Sequence, residues 1–291
     1  MVHSIAEDIK RTFQQGNTLT RLIIVNIAAF VGINILFLIG NYGNGGVTPQ
    51  WYLTVSHWLS ISSDGQEAIF RPWTWLTHMF LHTGFWHILW NMLFLYWFGR
   101  IIGDFIGDQK VIPLYILGGL MGAAFFFLSA NFMPYGEGQT FYAMGASAAT
   151  MAMVVGAATL SPDYIMRLLF LGDVKLKYIA AVLVFLDLIG TAGAMNTGGH
   201  FGHIGGAVMG YLYIDQLRRG NNLGSWIERI SSWKLSNHRR QLRVVHRSEQ
   251  PLPQHDNEEE ELNRILDKIK EKGLGSLSES ERTFLKKMSE S

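Results

Sequence analysis

The feature that most constrains this chain is a run of apolar residues from 22 to 40, broken only by Asn26 and Asn34. As a helix rising 1.5 Å per residue, such a run reaches about 28 Å, close to the ~30 Å hydrocarbon thickness of a bilayer. Five further apolar runs follow at 85–102, 111–130, 143–160, 178–195 and 203–217, the last short and Gly-rich. Six crossings is the simplest reading, and the expected fold is an all-α membrane bundle. Composition agrees: 48% of residues are hydrophobic and 16% charged, against roughly 25% charged in an average soluble domain. Intrinsic disorder and an ordinary soluble α/β enzyme are both excluded for the bulk of the chain.

The charges that remain are unevenly placed. Fifteen of the 24 Lys and Arg lie after residue 217. The connections holding Arg21, Arg100, Lys110, Arg167, Lys175, Lys177, Arg218 and Arg219 fall on one side of the six spans, whereas the opposite side holds Arg71 alone. The positive-inside rule then puts both termini in the cytoplasm, with a bacterial inner membrane as the expected location. Four segments are expected: an amphipathic cytoplasmic stretch (1–20, with Ile5, Ile9 and Phe13 at helical spacing), the six-span domain (21–219), a basic juxtamembrane linker (220–250) and a helical hairpin (251–291). The first external connection, 41–84, carries Trp51, Trp58, Trp73 and Trp75, and should rest in the headgroup region. In the tail, Pro251 and Pro253 lead through the acidic run 258–261 to Leu262, Ile265, Leu266 and Ile269 at helical spacing. A second short helix is signalled at Ser278.

A net charge of +1 gives no electrostatic support to nucleic-acid binding, and the lack of cysteine removes disulfides, Cys-zinc sites and thiol catalysis together. No His-Glu-x-x-His occurs, so His78 and His82, four apart, read as structural hydrogen-bonding residues rather than metal ligands. Neither metal nor cofactor is expected. The expected partners are the lipid bilayer and whatever the bundle acts on. Oligomeric state is not written in the sequence.

Polar side chains inside apolar spans are costly and usually face a bundle interior. With the orientation above, the second, fourth and sixth spans all run from outside to inside, and each carries its polar groups near its outer end. These are His87 and Asn91 on one helical face, then Ser147, then His203. Gly145 lets the backbone come close before Ser147. Gly206 and Gly210 lie on the His203 face, and Ala148, Ala152 and Gly156 form a matching stripe that allows close helix approach. Packing these stripes brings Ser147 to His203. An imidazole can take the proton of a serine hydroxyl near neutral pH. The Ser147 N–H at a helix start, with His87 and Asn91, can meet an oxyanion. Asp187 in the fifth span is read as lying away from this group and His200 as a structural residue, so the expected machinery is a dyad.

These residues resemble the motifs of the rhomboid family of intramembrane serine proteases over roughly residues 70–217: His87-x-x-x-Asn91 followed by Gly99, Gly145-x-Ser147, and His203-x-x-Gly206-x-x-x-Gly210. The resemblance implies a six-helix bundle with an outward-facing cavity, Ser147 as nucleophile, His203 as general base, and His87, Asn91 and the Ser147 N–H as oxyanion donors. It also implies transmembrane protein substrates, cut in or near a membrane helix after a small residue. One departure is that Trp73 is followed by Thr74 where the family often has arginine, with Arg71 displaced upstream, which leaves the anchoring of the external loop open. The alternatives are a non-catalytic member that only binds membrane proteins, although such relatives typically lack the serine or histidine, and a transporter, for which no inverted repeat is visible.

Overall fold

The computed structural model describes residues 16–136, 138–168, 172–193, 196–236 and 255–289. Most of the predicted N-terminal amphipathic stretch, the basic run beyond residue 236, and Pro251 and Pro253 lie outside these residues. All six apolar runs form helices: α1 (Thr18–Gly43), α5 (Phe85–Ile106), α6 (Val111–Phe132), α7 (Ser147–Leu160), α8 (Leu176–Thr191) and α9 (Thr197–Arg218). Between α1 and α5 lie α2 (Gln50–Leu59), strand β1 (Ile61–Ser62), α3 (Gly65–Phe70) and α4 (Thr74–Thr77), the last leading into a 3₁₀ turn at His78–Phe80. Among the described residues, two stretches, Thr18–Gly43 and Asp108–Phe132, are long and apolar enough to cross a membrane by length and composition.

The centre of the bundle is built from small residues. A Cβ on Gly206 of α9 would lie 2.1 Å from the Ala148 carbonyl oxygen of α7, and one on Gly210 would lie 2.4 Å from that of Ala152. Cβ atoms on Gly118 and Gly122 of α6 would overlap the methyls of Ala152 and Ala148 at 2.4 and 2.3 Å. Backbones of α6, α7 and α9 therefore touch along one line, the small-residue packing expected where no hydrophobic effect drives helices together. Gly99 of α5 receives Leu19 of α1 in the same way. At mid-height, Asn26 of α1 bonds Tyr115 Oη of α6 at 3.2 Å, and that hydroxyl donates to the Met79 carbonyl at 2.7 Å. Helix α1 is otherwise loosely held and shows Val25, Val31, Ile35 and Leu38 outward. Helix α8 shows Val182, Phe185, Leu186 and Ile189 in the same manner.

Two spans start elsewhere than the apolar pattern indicates. The fourth begins at Ser147, because Tyr142–Ala143 forms strand β2, antiparallel to β1 with Ile61 opposite Ala143. The sixth begins at Thr197, after Asn196 in a left-handed conformation at φ 53°. His203 thus sits in the second turn of α9 and not at its end.

The 41–84 connection is tied down despite Thr74. Trp73 Nε1 donates to the Trp58 carbonyl at 2.8 Å and the two indoles stack at 5.6 Å. Arg71 pairs with Glu67 at 3.3 Å while its guanidinium covers the Trp58 ring at 5.0 Å. On the opposite side, β3 (Ile165–Leu168) and β4 (Gly172–Lys175) form an antiparallel hairpin. The stretch read as a linker from 220 opens with a helix, α10 (Ser225–Ser236), whose Glu228 pairs with Lys110 at 2.9 Å.

The described residues 255–289 belong to a second compact unit with helices α11 (His255–Lys272) and α12 (Glu279–Ser289). Ser278 and Glu281 exchange bonds at the start of α12: Glu281 Oε2 accepts from the Ser278 N–H at 2.7 Å, and Ser278 Oγ from the Glu281 N–H at 3.3 Å. This is the capping box signalled by the sequence. Both Glu281 oxygens accept from Lys268 Nζ at 2.8 Å, joining the helices.

Candidate active site

Ser147 opens α7, so its backbone N–H is among the first amides of a helix, which have no intrahelical partner. The segment before it is held from two sides. The Gly145 N–H donates to the His78 carbonyl at 2.8 Å, and the Ala146 N–H to His82 Nε2 at 3.2 Å. His78 is fixed in turn by its ring Nδ1 on the Thr74 carbonyl at 2.9 Å. Burial pushes both His78 and His82 down to about 4, so each is neutral at pH 7. For His82 this matters directly, because an accepting Nε2 must be unprotonated. Both histidines are the structural hydrogen-bonding residues the sequence suggests.

Gly145 is at φ +133°, a conformation that favours glycine. The His87 ring lies against it: a Cβ there would meet His87 Cε1 and Nε2 at 2.8 Å, and Ser147 Oγ at 3.7 Å. His87 Nε2 and the serine hydroxyl thus approach one point. Asn91, one turn below His87 and 5% exposed, donates from Nδ2 to the His87 carbonyl at 2.8 Å and accepts from Thr150 Oγ1 at 3.1 Å. That hydroxyl also reaches the Ser147 carbonyl at 2.9 Å. These contacts fix which end of the amide faces α7 and leave Asn91 one N–H uncommitted. Sequence reading missed Thr150, three residues after Ser147 and so on its helical face.

His203 is brought in by the glycine contacts of α9 on α7, since Gly206, three residues on, sits on Ala148. Ser147, His203 and His87 line a cavity of about 740 Å³ together with Gly145, Gly199 and Tyr142. The same three also line an adjoining apolar crevice of about 450 Å³ between α5 and α8, walled by Trp86, Trp90, Leu183 and Leu186, with Asn91 at its edge. The two spaces meet at these side chains. Among the described residues, neither Ser147 Oγ nor His203 Nε2 has another hydrogen-bond partner within 3.5 Å, so both are free for chemistry. The bond between them that the packing suggests is not formed in this resting arrangement; contacts of this kind often tighten only around a reacting group. Gly99, Gly206 and Gly210 are packing residues, away from the chemistry.

One expectation is corrected. Asp187 is not apart from this group: its Oδ1 accepts from His203 Nδ1 and from His200 Nδ1, each at 2.8 Å. An acid does stand behind His203, and His200 holds that acid. The signal was present in the spacing. His200 and His203 are three apart on one helix face, opposite the carboxylate in an otherwise apolar helix, where an ion needs partners.

A family model described as Rhomboid domain matches residues 70–219, and one described as a family of unknown function (DUF6576) matches 253–291. Among curated proteins, the RHOMBOID-like protein 12, mitochondrial, of Arabidopsis thaliana is 30% identical over 61% of this chain and 56% of its own length. The rhomboid protease GlpG of Pectobacterium atrosepticum is 27% identical over 24% of this chain and 25% of its own. The match thus spans about half of the first relative and a quarter of the second.

Proposed function

The chain belongs to the rhomboid family of membrane proteins, and from that premise we propose that it is an intramembrane serine endopeptidase. The observation that carries this reading is the shared lining of one cavity by Ser147 and His203, with Ser147 Oγ and His203 Nε2 held by no other hydrogen bond among the described residues. In the proposed reaction Ser147 Oγ attacks a peptide carbonyl while His203 Nε2 takes its proton. The oxyanion of the tetrahedral intermediate is met by the Ser147 N–H, His87 Nε2–H and the uncommitted Asn91 N–H. As the intermediate collapses, His203 gives that proton to the leaving amine. Water then attacks the acyl-serine by the same route in reverse.

The substrate class follows from the surroundings. An apolar crevice opening beside the serine suits a transmembrane helix arriving from the bilayer, and the cavity suits an unwound segment and water. A small residue before the cut fits beside Gly145 and Ala148. In the proposed topology the chain crosses six times, both termini are cytoplasmic in a bacterial inner membrane, and the cavity opens outward.

The test is cleavage of a transmembrane reporter by reconstituted protein. Ser147→Ala and His203→Ala are expected to abolish it, and a fluorophosphonate is expected to label wild type but not Ser147→Ala. Equal cleavage by wild type and Ser147→Ala would end the proposal. Cleavage-free protein that still holds the reporter would mark a non-catalytic binder.

A further inference from the structure

Asp187 is a carboxylate bonded to His203 that the reaction above leaves unused. Its side chain is 10% exposed on α8, among residues that otherwise face lipid or the core. A carboxylate there is costly unless its charge is met. Oδ1 meets it with two N–H groups, from His203 Nδ1 and His200 Nδ1, both at 2.8 Å.

An ionised carboxylate only accepts, so both bonds require the proton of each neutral ring to sit on Nδ1. For His203 this leaves the lone pair on Nε2, the form a base facing Ser147 must have. The arrangement extends one turn along both helices. A Cβ on Gly190 would lie 2.5 Å from the His200 ring, so only a residue without a side chain can seat that imidazole against α8. Asp187 and Gly190 on α8 therefore receive His203 and His200 of α9, each pair three residues apart.

The same three side chains offer ligand atoms to a metal ion. Tetrahedral ligands at about 2.1 Å from zinc stand about 3.4 Å from one another, wider than the 2.8 Å seen between Oδ1 and each nitrogen. The spacing is that of hydrogen bonds.

We propose that Asp187 is the positioning residue of a Ser147–His203–Asp187 triad, with His200 as the second donor that holds its carboxylate in place. The inference rests on the protease reading. During acylation the Ser147 proton passes to His203 Nε2, giving an imidazolium whose Nδ1–H faces the Asp187 anion. The same proton then leaves on the amine, and Asp187 stays ionised throughout.

The test uses full-length protein in vesicles of phosphatidylethanolamine and phosphatidylglycerol, with a fluorogenic transmembrane reporter. Asp187→Asn is expected to lower kcat about 10²-fold with KM within about twofold, because the carboxylate acts through His203 and not on substrate. Asp187→Glu should recover part of the loss, and fluorophosphonate labelling of Ser147 should slow in parallel. A purely structural role would instead lower the thermal midpoint without that kcat–KM split and without rescue by Glu. If Asp187→Asn does not fold, ¹⁵N-histidine NMR of the wild type decides, with His203 assigned against His203→Gln. The Nδ1–H tautomer at pH 7.5 is expected, and the Nε2–H tautomer would overturn the inference. Ser147→Ala inactive beside Asp187→Asn with full kcat would overturn it alone. Equal turnover by wild type and Ser147→Ala would instead remove the protease reading, and this inference with it.

Discussion

At the scale of single residues, the approach to Ser147 depends on groups that are not themselves reactive. Gly145 combines a positive φ with the His87 ring at van der Waals distance. Gly145→Ala must therefore both strain the backbone and push His87 aside, and a loss of kcat well beyond tenfold is expected in a reporter assay. Asn91→Ala removes one of the proposed oxyanion donors, and about a 10²-fold fall in kcat is expected. The fold should be nearly unchanged, since Thr150 keeps its bond to the Ser147 carbonyl. Unchanged turnover would take Asn91 out of that role. His82 adds a pH dependence. With its folded value near 4 against 6.5 unfolded, the unfolded chain binds more protons between these limits. The stabilisation is therefore complete above pH 6.5 and is lost as pH falls toward 4, at up to about 1.4 kcal/mol per pH unit. His78 follows the same course. Thermal unfolding in detergent at pH 7.5 and 5 should show the drop, and His82→Gln should reduce it while leaving the part due to His78. The residue types of the site were legible because a serine, two histidines and an amide cannot sit in apolar helices without cause. The bond from Asp187 to His203 was legible only in part: the spacing of His200 and His203 offers partners to a lone carboxylate, but helical rotation decides which way that carboxylate faces, and apolar composition on all sides of α8 leaves the rotation unmarked.

At the scale of elements, glycine and alanine stripes decide where the helices meet. The spacing of Gly206 and Gly210 with Ala148 and Ala152 was readable in the sequence, and these pairs are in contact. Helix ends were less readable. Hydropathy marks where a helix is apolar, not where its hydrogen bonds begin. Polar and Gly-rich residues from Thr197 to Gly202 therefore hid the first turns of α9, while Ala143 passed as helix although it pairs with Ile61 of β1. The folded 41–84 connection was hidden for a related reason: its helices are short, and its anchors, Trp73 on the Trp58 carbonyl and Arg71 over the Trp58 ring, are contacts between distant residues. A stability prediction belongs here. Gly206→Ala places a methyl carbon 2.1 Å from a carbonyl oxygen of α7, and an overpacking cost of about 1–3 kcal/mol or more is expected. Activity should fall with it, because the α9–α7 contact carries His203. Gly32→Ala on α1, where nothing lies within 4 Å, is the matched control and should be neutral or slightly stabilising. Similar unfolding midpoints for the two variants would refute the role given to the stripe.

At the scale of the whole chain, the proposed topology and the separateness of the tail can be tested in one preparation, because the sequence has no cysteine. Any single introduced thiol is then the only one present, and its labelling reports one position. Asn44 follows α1 and Asn221 follows α9, and both are exposed. If the basic connections face inward, a membrane-impermeant maleimide added to intact cells should label Asn44→Cys and spare Asn221→Cys, which should react only after permeabilisation. The reverse pattern would invert the topology and turn the cavity toward the cytoplasm. The tail has its own capping box and its own Lys268–Glu281 ion pair, and it matches a different family model from the bundle. Deleting residues 250–291 should therefore leave reporter cleavage in detergent within about twofold of the full chain, a change too small to reflect loss of transition-state contacts. Effects of the deletion should be confined to association or turnover of the protein in cells. A truncated protein that folds, with its wild-type unfolding midpoint, yet does not cleave would show that the tail reaches the chemistry after all.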